Sequence, residues 1–192
     1  MGKTSNPTPR EIGGAGGAGT YDDMLGAVSM ARQPASNAPT WTSITRDGVT
    51  FDALAFDTGD KIPLFVQTSH GVQLNQLIEN HIHWDITGND AGDEFQFQIT
   101  GVGAGIGEAF QSIGTVKSGD VVLAGDEMGK HNYLEIGELP AINTTVSTLF
   151  VIILERIAPD DGNDTTEDII VYFNDSHPLL DTMGSLNEDS KS

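Results

Sequence analysis

From Trp41 to Phe173 the chain is a succession of short apolar or alternating stretches, each closed by a turn rich in Gly, Asp or Asn. Helical periodicity is nearly absent outside Met24–Met30 and Gly105–Gln111. Successive side chains of a strand point to opposite faces, so this alternation marks strands with one wet and one buried side. The predicted strands are Trp41–Thr45, Val49–Phe56, Ile62–Val66, Gln76–Asp85, Phe95–Gly101, Thr115–Leu123, Asn132–Leu139, Thr148–Ile157 and Ile169–Phe173. Asp47-Gly48 is a hairpin signal between the first two. Gly59-Asp60, Gly88-Asn89, Gly92-Asp93, Ser118-Gly119 and Asp161-Gly162 supply turn chemistry between others. The expected class is all-β: an antiparallel β-sandwich or jelly roll with an extended N-terminal arm. Leu149–Leu154 is the most apolar run. It is too short to cross a membrane and reads as a central strand packed between its sheet and a neighbouring subunit.

The ends differ from the middle. Residues 1–40 read as a flexible arm, 41–185 as the β domain and 186–192 as a polar tail. Gly13 to Gly19 holds only glycine and alanine, which reads as a tether. It matches G-x-G-x-x-G, but no strand precedes it and no long helix follows, so no dinucleotide is expected. Asp22 is placed to cap one helical turn. Tyr21, Asp23, Met24, Leu25, Val28 and Met30 form the arm's apolar-periodic piece and are the expected partner-binding residues. The net charge is −19, from 28 acidic and 9 basic residues. Such a chain is not expected to bind nucleic acid through phosphates. It suits a solvent-facing protein or one docking on a basic patch. There is no cysteine, which excludes disulfides, thiolate nucleophiles and Cys-ligated clusters. No apolar run is long enough for a transmembrane helix, and Met1–Arg10 lacks a signal-peptide core.

His81-Ile82-His83 is the sharpest local motif. On a strand, residues i and i+2 share a face, so both imidazoles point the same way, as in metal sites of sandwich folds. A third ligand would come from His131 or Glu94. The arrangement resembles the cupin pattern, in which H-x-H is followed closely by Glu and a later G-D leads to a His. Here Ile86, Thr87 and Gly88 stand where the Glu is needed, and Gly119-Asp120 precedes His131 at altered spacing. The expectation is no cofactor and no metal, with His81, His83 and His131 the residues that would hold one. Asp160-Asp161-Gly162-Asn163-Asp164, with Glu167 and Asp168, offers hard oxygen ligands for calcium but departs from the EF-hand order and reads as a solvated turn. No nucleophile constellation is present, and the chain is not expected to be an enzyme.

Three segments together resemble a family of tailed-bacteriophage virion structural proteins. They are Asp23-Met24-Leu25-Gly26-Ala27-Val28, Asn80-His81-Ile82-His83-Trp84 and Asp175-Ser176-His177 running on to Asp181-Thr182-Met183-Gly184-Ser185. The resemblance covers roughly residues 22–186. It implies a β-sandwich subunit of the particle without catalysis: a capsid cement or decoration protein on the major capsid protein shell, assembled in the host cytoplasm. The apolar runs of the internal strands point to a homo-oligomer, expected for a cement protein to be a trimer or dimer. A head-fibre, connector or tail component with a receptor- or glycan-binding role is the alternative, with Trp41, Tyr133 or Tyr172 as its contacts. A cupin-like metal-dependent enzyme ranks behind both.

Overall fold

A computed structural model of the chain describes residues 20–21, 24–26, 28, 31–68, 76–88, 90–140 and 148–180. The glycine tether, Asp23, Met30, Asn89, the Asp181–Ser185 motif and the 186–192 tail lie outside the described residues.

The described chain is built of strands: β1 (Thr20–Tyr21), β2 (Met24–Gly26), β3 (Thr40–Arg46), β4 (Val49–Phe56), β5 (Lys61–Gln67), β6 (Leu77–Ile86), β7 (Glu94–Ala104), β8 (Gln111–Lys117), β9 (Val121–Val122), β10 (Asn132–Pro140), β11 (Leu149–Ile157) and β12 (Ile169–Leu180). They form two antiparallel sheets packed face to face. The first runs β10-β6-β12-β4-β3, with β1 and β2 also on β12. The second runs β5-β11-β7-β8, with β9 on β7. Pairs nest around the tip between β7 and β8: β6 with β10, β5 with β11, β4 with β12. One long hairpin has thus been rolled up with alternate layers in alternate sheets, which is a jelly roll.

Local chemistry explains the turns. Asp47 and Gly48 both have positive φ, 47° and 79°, and join β3 to β4 through a two-residue loop. That conformation matches the twist of the flanking strands and favours Asp-Gly. Residues of alternating parity along β11 are buried: Phe150, Ile152 and Leu154 enter the core, while Leu149, Val151 and Ile153 face outward, half-buried. In β6 the inward set is Ile78, Asn80, Ile82, Trp84 and Ile86. Trp84 meets Phe95 edge-on at 4.7 Å, joining the two sheets. On β7, Gly101 and Gly103 admit Ile113 and Phe150 where a Cβ would lie 2.6 and 2.8 Å from them.

Three elements differ from the sequence expectation. Thr115–Leu123 is two strands, because Ser118-Gly119-Asp120 breaks the ladder, and β8 begins earlier, at Gln111, in the stretch with helical spacing. β12 continues past Phe173 to Leu180 through polar residues. The arm carries strand, not a capped helical turn, at Met24–Gly26, paired with Asn174–Ser176. Met24 and Val28, expected on a partner surface, instead lie buried in this chain's own core.

Candidate metal centre

The outward set of β6 is Leu77, Glu79, His81, His83 and Asp85, opposite in parity to the core residues. β12 lies alongside with Asp175 opposite His81, Phe173 opposite His83 and His177 opposite Glu79. On the other side β10 sets Tyr133 opposite His83 and Glu135 opposite His81. Two strand pairs with spacing i, i+2 therefore bring His81, His83, Asp175 and His177 together on the outer face of the first sheet.

Their atoms converge. His81 Nε2 lies 3.2 Å from His83 Nε2, 3.4 Å from His177 Nε2 and 3.3 Å from Asp175 Oδ2. His177 Nε2 is itself 3.3 Å from Asp175 Oδ2. The ligand atoms of His81, His83 and Asp175 all fall within 4.8 Å of one another, a grouping that could hold a metal ion. Asp175 is buried, and its Oδ1 has no hydrogen-bond partner among the described residues. Aromatic rings wall the cluster: Tyr133 stands edge-on to His81 at 4.7 Å, and Phe173 stacks on His83 at 4.2 Å. The Tyr133 phenol is held above the ordinary tyrosine range by burial and then by Glu135 and Glu79, so the local field is negative.

His131, expected as the third ligand, occupies a different position. Its Nε2 lies 2.6 Å from His83 Nδ1, the nitrogen on the other side of the ring from the cluster. It can orient His83 but does not belong to the converging set. Glu94 is on β7 in the second sheet, among the acidic loop, where a hydrogen bond with Asp161 and then burial hold its carboxyl above the ordinary range. The cluster also lies on the sheet's outer surface, whereas Ile82 and Trp84 between and beside its histidines face the interior.

Beyond His131 a groove of about 370 Å³ is lined by Arg46, Phe51, Asp85, Gly129, Lys130, His131, Tyr172 and Phe173. Its floor is the buried Asp85, which accepts from Arg46 Nε at 2.7 Å, Tyr172 hydroxyl at 3.0 Å and the backbone amides of Ile86 and Gly129, both at 2.7 Å. Burial and this carboxylate push the Tyr172 phenol up to about 12.

The acidic loop is tied down by cations. Asp160 accepts from Lys117 Nζ at 2.6 and 2.7 Å, and Asp164 Oδ1 from Arg156 at 3.0 Å. Trp41 and Tyr133, for which core packing is the ordinary expectation, are exposed, while Tyr172 is half-buried. No helix among the described residues is long and apolar enough to cross a membrane. Comparison with protein-family models and with curated proteins gives no match.

Sequence reasoning found His81 and His83 from their spacing. It missed Asp175 and His177 as members of the cluster, although Asp-x-His carries the same i, i+2 signal. Nothing in the sequence states that β12 pairs β6 in the register that joins the two motifs.

Proposed function

We propose that this chain is a non-enzymatic structural subunit of a tailed-phage particle. In this reading it decorates or cements the major capsid protein shell as a homo-oligomer. The observation that carries the reading is the outer face of the second sheet. There Phe65, Val151 and Val102 stand side by side across β5, β11 and β7, with Pro63 and Ile153 in the next row. Phe65 is 63% exposed, Val102 is also exposed and Val151 is half-buried. On a chain of net charge −19 such an apolar row is a surface kept for protein contact. The jelly-roll architecture and the H-x-H-W resemblance point the same way, although a fold alone does not fix a function.

The test uses the full chain and a Phe65→Glu/Val151→Glu variant. Sedimentation should find the wild type as a trimer or dimer that co-pellets with phage shells lacking decoration. The variant should be a folded monomer that stays in the supernatant. A wild-type monomer that ignores shells would overturn the proposal. Exposed Trp41 and Tyr133 favour one second reading, a glycan-contacting fibre or tail domain. Glycan-array binding that is lost in Trp41→Ala or Tyr133→Ala, together with indifference to shells, would select it instead.

A further inference from the structure

We propose that His81, His83 and Asp175 bind a divalent transition-metal ion of the zinc class, which cross-braces β6 and β12 on the outer face of the first sheet, with His177 beside them. The inference is independent of the capsid reading and rests on the cluster alone.

Geometry comes first. Ligand atoms of a four-coordinate zinc ion with bonds of about 2.0–2.1 Å stand roughly 3.3–3.4 Å apart. His81 Nε2 lies 3.2 Å from His83 Nε2 and 3.3 Å from Asp175 Oδ2, and the three ligand atoms fall within 4.8 Å of one another. Proton accounting agrees. A ring nitrogen carries either one hydrogen or one lone pair. His81 Nε2 has three polar neighbours at that range, so hydrogen bonding satisfies at most a fraction of them, whereas one shared cation attracts the ligand atoms of His81, His83 and Asp175 at once. The donor set is imidazole and carboxylate, which suits zinc rather than calcium or magnesium.

The surroundings supply the rest of a metal site. His131 sits on the far nitrogen of His83, as outer partners of metal-bound imidazoles do. Asp175 is buried and has one oxygen directed at the cluster, which a neutral environment would not stabilise. Phe173 and Tyr133 limit water access and hold the rings. Two nitrogens and one oxygen from two adjacent strands supply three positions, and His177 Nε2, 3.4 Å from His81 Nε2 and 3.3 Å from Asp175 Oδ2, stands next to the fourth.

The experiment is a metal inventory of the full chain, purified without chelators or metal resin, followed by zinc titration against a chromophoric competitor. The expected result is one zinc ion per chain and a Co(II) derivative with the visible bands of four-coordination. His81→Gln, His83→Gln or Asp175→Asn should weaken zinc by about 100-fold or more, and His131→Gln by about tenfold. Asp161→Asn, in the acidic loop, should change nothing. At a thousandfold excess over its Kd, zinc should raise the wild-type unfolding midpoint by roughly 10 °C. The same addition should leave the His81→Gln midpoint unmoved. Circular dichroism of the metal-free variants, matching metal-free wild type, separates ligand loss from misfolding. Zinc affinity unchanged in His81→Gln and Asp175→Asn would overturn the site. A six-coordinate Co(II) spectrum would overturn its assignment to a four-coordinate ion of the zinc class.

Discussion

Arg156 is the largest fully buried side chain, and it is charged. Its guanidinium donates to Phe56 O, Glu167 O and Thr165 O, each at 2.8 Å, and to Asp164 at 3.0 Å. These acceptors belong to the end of β4 and to the acidic loop, so one planar fork pins that loop to the sandwich. Removing it leaves three inward carbonyls without their donor and Asp164 without its cation. Arg156→Met should therefore cost about 3–5 kcal/mol, read as a lower urea midpoint with unchanged slope. Arg156→Lys should recover little of this, because an ammonium cannot present two nitrogens to four acceptors in fixed geometry. The same fork pairs the loop's inward carboxylate, Asp164, with a protein cation.

At the scale of elements, β12 is the keystone of the first sheet. One of its edges runs along β6 from Ile169 to Pro178, and the other is divided among β4, β2 and β1. The N-terminal arm therefore finishes the sheet. Met24 shares a small interior gap with Val66, Ile78, Ile113 and Phe150 from both sheets. Met24→Ala should destabilise the domain by about 2–3 kcal/mol in chemical denaturation. Deleting residues 1–19 should leave that stability unchanged, while deleting 1–30 should lower it by more than the single substitution.

For the whole molecule, charge sets how stability varies with conditions. Burial holds Asp60 and Asp168 above the ordinary aspartate range, and the hydrogen bond with Asp161 does the same for Glu94. A carboxyl whose folded pKa is raised binds its proton more tightly when folded. Its contribution is fully present below the unfolded pKa of about 4 and is lost as pH rises through the folded value. Asp160, lowered by Lys117, works in the opposite sense but is exposed, so its weight is small. Glu94→Gln should raise the unfolding midpoint at pH 7, and the difference from wild type should vanish on acidification to about pH 4. Added salt should also raise the wild-type midpoint by screening the repulsion of a −19 chain. A midpoint gap that persists at low pH would show that Glu94 and Asp161 do not share a proton.

Period-two alternation, turn residues and the absence of helical spacing were enough to determine the class: an antiparallel β-sandwich with strands near the predicted positions. The same rule of parity put His81 and His83 on one face. These properties are local, because a strand's faces and a hairpin's turn depend on neighbouring residues. Tertiary structure alone decided the rest. Asp175 and His177 joined the cluster because β12 pairs β6 although 82 residues, 87–168, separate the two strands, and register over that distance depends on the whole roll-up. His131 took the outer nitrogen of His83, and the polar stretch Asn174–His177 became strand, because β6 offered it a full edge of amides and carbonyls. Local sequence carries no trace of such long-range pairing energies.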